Sequence, residues 1–171
     1  EVENKNLRPS NAVVYSIITD RNGKQLGKTS EQKVALSVNE KTTIKQNLNL
    51  NNVTLWSLEN PYLYKVISVV KQNNQIVHQT KTRFGIKTVT FDAKKGFLLN
   101  GKHLKIQGTN NHQDHAGVGS ALPDFMQYYR VKLLKEMGSN AYRASHNAPT
   151  PELLEACDSL GMLVLDEQRL L

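Results

Sequence analysis

Two short segments late in the chain, residues 140–145 and 162–165, constrain the fold most. Each follows a stretch with helical spacing that ends in glycine. Met162-Leu163-Val164-Leu165 has no polar member at all. A strand this apolar is buried on both faces, as happens in parallel sheets covered by crossover helices. The first helix is predicted over 123–137, with Met126, Tyr129, Leu133 and Met137 on its apolar face and Gly138 as its stop. The second opens on Pro151, suited to a first helical position because its missing N–H is not needed there. It carries Leu153, Ala156, Cys157 and Leu160 along one side and ends at Gly161. Strand, helix, strand, helix, strand is the grammar of βαβ units.

The first half obeys a different period. Ala12-Val13-Val14-Tyr15-Ser16-Ile17-Ile18 is a β-branched run, and Asp20-Arg21-Asn22-Gly23 after it is a hairpin turn. Residues 26–36 return from that turn. Residues 42–50 alternate, with Ile44, Leu48 and Leu50 on one face and Thr43, Lys45, Asn47 and Asn49 on the other. A further hairpin is predicted from 63–70 through Gln72-Asn73-Asn74-Gln75 into 76–84, and another around Asn100-Gly101. Strands so spaced predict a small β-sandwich over residues 1–87, with the parallel βαβ units following it over 88–171.

The net charge of +7 excludes less than it suggests. Residues 1–87 carry 13 Lys/Arg against 6 Asp/Glu, and the remainder is balanced. Lys24, Lys28, Lys33, Lys41 and Lys45 are scattered singly through strands, without the stacking aromatics of a nucleic-acid groove. No nucleic-acid partner is expected from them. No run reaches the roughly 18 apolar residues of a membrane span. The lone Cys157 lies on the apolar stripe of the second helix, where packing accounts for it, and it cannot form a disulfide framework. Glu1-Val2-Glu3-Asn4 reads like the middle of a strand, so any leader would lie upstream and the compartment, periplasmic or secreted among the options, stays open.

Six motifs in consistent order resemble glycoside hydrolase family 2, β-galactosidase-like. Trp56-Ser57-Leu58-Glu59-Asn60-Pro61-Tyr62-Leu63-Tyr64 is similar to the family's W-x-x-E-N-P-x-L-Y stretch. Arg83-Phe84-Gly85 resembles the turn leaving its sandwich domain, and Gly96-Phe97-Leu98-Leu99-Asn100-Gly101-Lys102 the hairpin entering its barrel. Gly108-Thr109-Asn110-Asn111-His112-Gln113-Asp114-His115 matches the first barrel strand. The stretch from Lys135-Glu136-Met137-Gly138 to His146 matches the second, and that from Cys157-Asp158 to Asp166-Glu167 the third. The resemblance implies an immunoglobulin-like domain followed by a (β/α)₈ barrel, of which this chain carries three strands and two helices.

In such barrels the C-terminal ends of the strands face the active site. His112 and Asp114 follow the first strand; Arg143, Ser145 and His146 end the second; Asp166 and Glu167 end the third. Retaining glycosidases need two carboxylates flanking the glycosidic bond. The resemblance puts the acid/base glutamate on the fourth strand and the nucleophile near the seventh, both past Leu171. Glu136, Glu152 and Glu155 fall on helices, and Glu167 stands on the third strand rather than the fourth. The chain alone is therefore expected to be inactive, contributing Asn111, His112, Asp114, Arg143 and His146 to substrate binding. By resemblance His112 and His146 bond sugar hydroxyls and Arg143 supports the glutamates.

The implied substrate is a terminal β-galactoside, with a glucuronide or mannoside as the rival within the family. A self-contained carbohydrate-binding sandwich is the rival outside it. No cofactor is implied. His112, Asp114 and His115 also spell H-x-D-H, a metal reading that the usual H-x-H spacing disfavours. A galactosidase of that family carries Arg and Glu on either side of the first-strand histidine, where this chain has Asn111 and Gln113 and so resembles a branch within the family. Finally, three barrel strands cannot close a sheet, so the apolar edge at 162–165 is expected to drive self-association.

Overall fold

The computed structural model describes residues 1–168, so the last three residues of the predicted barrel segment lie outside the described residues. The chain divides into two compact units, residues 1–53 with 64–84, and residues 54–63 with those from Gly85 onward.

The first unit holds β1 (Val2–Glu3), β2 (Ser10–Thr19), β3 (Gln25–Lys28), β4 (Gln32–Leu36), β5 (Lys41–Thr42), β6 (Tyr64–Gln72) and β7 (Gln75–Phe84). All its ladders are antiparallel. The long strand β2 pairs with β6 on one side and with β3 and β4 in succession on the other, while β1 pairs with β5. The predicted single return over 26–36 is thus two strands. Where they break, the Thr29 hydroxyl accepts from Ser16 N at 2.9 Å, and Thr29 N donates to Ser16 O. A side chain here completes the ladder that the backbone interrupts.

The hairpin between β6 and β7 turns on Asn73 and Asn74, both at positive φ (48° and 63°). That pair of angles matches a type I′ turn, whose twist suits the strands it joins. The predicted strand over 42–50 shrinks to Lys41–Thr42. Ile44, Gln46, Leu48 and Leu50 still alternate inward, but the segment is held by side chains rather than a ladder. The Gln46 carbonyl accepts from Ser16 Oγ at 2.8 Å, and its amide donates to Val14 O at 3.2 Å. Two of the scattered lysines also find a use: Lys28 Nζ lies 4.0 Å and Lys71 Nζ 5.3 Å from the centre of the buried Tyr15 ring.

The second unit begins with a three-stranded antiparallel sheet, β8 (Val89–Asp92), β9 (Gly96–Leu99) and β10 (Lys102–His103), turning at Asn100-Gly101 as expected. A parallel sheet follows in the order β11 (Gly108–Asn111), β12 (Ala141–Ala144), β13 (Leu163–Leu165). Helix α1 (Asp124–Glu136) connects the first two strands and α2 (Pro151–Leu160) the last two. α2 starts as predicted, with Pro151 in its first turn and the Thr150 hydroxyl capping Leu153 N at 3.3 Å; it ends on Gly161 at φ 75°.

The sheet has a helix side and an inner side. Tyr142 and Ala144 pack with Val131 of α1 and Leu153, Ala156 and Cys157 of α2. On the other side Ala141 and Leu163 meet Trp56, Leu58 and Leu99. The apolar face predicted for α1 is not the one that packs. Tyr129, Leu133 and Met137 are exposed, and the inward row is Gln127, Val131 and Leu134. Those three are spaced i, i+4, i+7, a proper helical stripe. Counting apolar residues missed it because one of its members is an amide.

Trp56 organises this unit. It is 1% exposed, its indole N–H donates to Asp158 O at 2.8 Å, and its backbone N bonds Ile86 O at 2.8 Å. The Asn100 amide donates to its carbonyl at 3.0 Å. Lys135, at the end of α1, donates from Nζ to Leu58 O (2.8 Å) and Gly161 O (2.7 Å). Burial holds this lysine below the usual lysine range, with Glu59 opposing. Among the described residues no helix is long and apolar enough to cross a membrane.

Candidate active site

Strand register sets the site. Asn110 on β11 is the direct partner of Arg143 on β12, and the inner side of the sheet carries both, one residue out of phase with Tyr142 and Ala144. Arg143 Nη1 donates to Asn110 Oδ1 at 3.1 Å and to Ser145 Oγ at 3.4 Å. Its other terminal nitrogen, Nη2, pairs with Glu167 Oε1 at 2.5 Å. The second oxygen of Glu167 lies 2.9 Å from Nδ1 of His146. The His146 ring in turn meets the ring of His112 edge to face, with centroids 5.7 Å apart. Residues from three consecutive parallel strands thus meet at the C-terminal end of the sheet, the end that carries chemistry in barrels.

The backbone supports this cluster. The buried Ser145 donates from its N–H to Asn111 O at 3.0 Å, and the peptide between Ser145 and His146 is cis. The Arg130 guanidinium, reaching from α1, donates to the His112 carbonyl. The His146 hydrogen bond holds the Glu167 carboxyl below the usual carboxylate range; burial opposes it, and the Arg143 charge adds to the lowering. Glu167 is therefore an anion at neutral pH and acts only as an acceptor.

The residues expected at the site divide. His112, Arg143 and His146 come together. The Asn111 side chain does not join them: its amide donates to Thr109 O at 2.8 Å, and it borders a small recess with Gln127, Arg130 and Tyr142 on the helix side. Asp114 is exposed in the loop after β11, and among the described residues no contact links it to the cluster. The second histidine of that loop, His115, turns its Nδ1 to Ala116 O at 3.0 Å. Among the described residues no three His, Cys, Asp or Glu side chains are grouped as metal ligands. Glu167 is the residue sequence reasoning passed over. The available signal was a carboxylate at a parallel-strand end, one strand along from an arginine and a histidine.

A sandwich followed by parallel strands, with Arg, His and Glu gathered at their C-terminal ends, is the layout of a chain in which a sandwich domain leads into a barrel. The chain belongs to glycosyl hydrolases family 2: the pattern of that family matches residues 1–87, and that of its TIM barrel domain residues 89–171. It is similar to Beta-galactosidase BoGH2A of Bacteroides ovatus, 36% identical over 157 residues, covering 92% of this chain and 18% of that protein. A Beta-glucuronidase of Formosa agariphila is 30% identical over 167 residues, covering 96% of this chain and 17% of its own length. Among solved structures, a glycosyl hydrolase family 2 member from Bacteroides cellulosilyticus superposes with a TM-score of 0.87 at 37% identity, over 94% of this chain and 22% of its own. A Bacteroides uniformis beta-glucuronidase gives 0.91 at 30%, over 97% and 20%. The chain spans about a fifth of the length of these relatives.

Proposed function

We propose that the protein carrying this segment is a retaining glycosidase acting on terminal β-galactosides, and that His112, Arg143 and His146 form part of its sugar-binding wall. The observation that carries this reading is the convergence of these three side chains at one end of three consecutive parallel strands. A neutral imidazole offers one donor and one acceptor, which suits a sugar hydroxyl. Arg143 offers a rigid fork of donors suited to fixing carboxylates. Asp114, exposed beside the same loop, is free to meet a ligand at the rim, and Asn111 contributes through the carbonyl that holds Ser145. The domain division we propose puts a sandwich over 1–87 and the barrel start over 88–171.

Two glutamates must flank the scissile bond, and the reading assigns both to the longer protein. The 171-residue chain alone should then hydrolyse nothing. The test is to assay the full-length protein and the isolated chain against aryl β-galactoside, β-glucuronide and β-mannoside. Hydrolysis of the galactoside by the full-length protein alone supports the proposal, and turnover by the isolated chain refutes the assignment of the glutamates. Preference for the glucuronide selects the second reading, which the beta-glucuronidases among the relatives favour.

A further inference from the structure

Glu167 is less exposed than either of its two partners, its side chain 25% accessible against 38% for Arg143 and 65% for His146. Its two oxygens are divided between two partners on the neighbouring strand end, Oε1 to Arg143 and Oε2 to His146. That leaves it little to offer a ligand directly and much to impose on its partners. A carboxylate cannot donate, so the ring nitrogen facing it must carry the proton. His146 is thereby fixed with Nδ1 protonated, and in the neutral ring Nε2 is left with a lone pair. The edge-to-face contact with His112 restrains the same ring from another side. Arg143 is anchored at both terminal nitrogens, by Asn110 and Ser145 on one and by Glu167 on the other.

We infer that Glu167 is a positioning residue: it sets the tautomer of His146 so that Nε2 accepts a hydrogen bond from a ligand hydroxyl. The inference rests on the sugar-binding reading above and deepens it. It gives the subsite a chemical preference. A hydroxyl can donate to Nε2, whereas an ether, a deoxy carbon or an ionised carboxylate cannot.

The test uses the full-length protein, with kcat and KM measured on the aryl β-glycoside that wild type cleaves best and on its monodeoxy analogues. Glu167→Gln keeps the shape but offers His146 an amide that can donate, which permits the other tautomer. Its kcat/KM should fall by about 10–100-fold, taking as a guide the range seen when the groups that orient metal-bound histidines are changed. The loss should nearly vanish for one monodeoxy substrate, the one lacking the hydroxyl that His146 holds. In a His146→Ala background Glu167→Gln should also cost much less, because the two residues act through one bond.

An equal loss on every analogue, or additive losses in the double variant, overturns the tautomer role and leaves only a structural one. Should Glu167→Gln fail to fold, Glu167→Asp carries the same comparison, since the shorter side chain keeps the charge but cannot span both partners. A wild type that cleaves no β-glycoside overturns the sugar-binding reading itself, and this inference with it.

Discussion

Replacing Trp56 tests the account of the second unit most directly. A tryptophan buries up to about 250 Å², and at about 25 cal/mol per Å² this gives about 6 kcal/mol as an upper bound. Allowing for a compact unfolded chain removes roughly 10–40% of that. The estimate then falls close to the 3–5 kcal/mol typical of Trp→Ala in cores. Trp56→Ala should therefore destabilise the unit by about 3–5 kcal/mol. Trp56→Phe keeps most of the packing. It forfeits the hydrogen bond to Asp158 O, about 0.5–1.5 kcal/mol, and the contacts of the missing ring atoms, about another 1 kcal/mol. Its total should be about 1.5–2.5 kcal/mol, at the lower end if water reaches the carbonyl of exposed Asp158.

Both α-helices of the described residues belong to this unit, so helical ellipticity followed through guanidinium unfolding reports on it alone. Tryptophan fluorescence cannot serve, because Trp56 is the only tryptophan. Two results would refute the reasoning. One is a Trp56→Ala midpoint shift worth less than about 1 kcal/mol. The other is Phe costing as much as Ala, which would mean that ring packing contributes nothing beyond the indole N–H.

Three other outcomes follow from separate observations. Gly161 sits at φ 75°, and a Cβ there would lie 2.3 Å from Leu58 O, whereas Gly101 at φ 76° has nothing within 4 Å. In thermal unfolding Gly161→Ala should thus cost clearly more than Gly101→Ala, which bears only the left-handed strain of about 1–2 kcal/mol. The Cys157 thiol is buried and pushed up to about 12 by that burial, so alkylation at pH 8 should be slow in the native protein and fast in denaturant; rapid native labelling would contradict the burial. β13 pairs only with β12 among the described residues, and Leu165 at its end is exposed, so we propose that the isolated chain self-associates. A clean monomer by light scattering, with Val164 protected from exchange, would count against it.

Much of the fold could be read before any coordinate was known, and the legible parts share a cause. Asn100-Gly101, Asn73-Asn74, Pro151 and Gly161 each fix a turn or a helix end through local backbone chemistry, with no reference to the rest of the chain. The same is true of the apolar run in β13, whose composition alone requires cover on two sides. Misreadings arose where distant partners decide. Gln127 takes a place in the packed row of α1, so the helix turns Tyr129, Leu133 and Met137 outward against their hydropathy. Residues 43–50 alternate like a strand because alternate side chains pack, yet their backbone joins no ladder there.

The site divides along the same line. That His112, Arg143 and His146 lie at one end of the sheet follows from counting residues along parallel strands, since every βα unit delivers its C-terminal end to the same side. What joins them does not follow from counting. Residue parity along β11 turns Asn110 toward Arg143 and its neighbour Asn111 away, although the two are chemically identical. Glu167 was set aside because it stood on the wrong strand to be a catalytic acid. The structure gives it a different relation: a carboxylate one strand beyond an arginine and a histidine, near enough to bind both. A charge at a barrel rim should thus be judged by its neighbours across the sheet as well as by its suitability as acid or base. The Glu167→Gln comparison puts that distinction to experiment, because a residue acting through His146 loses its effect when the hydroxyl that His146 reads is removed.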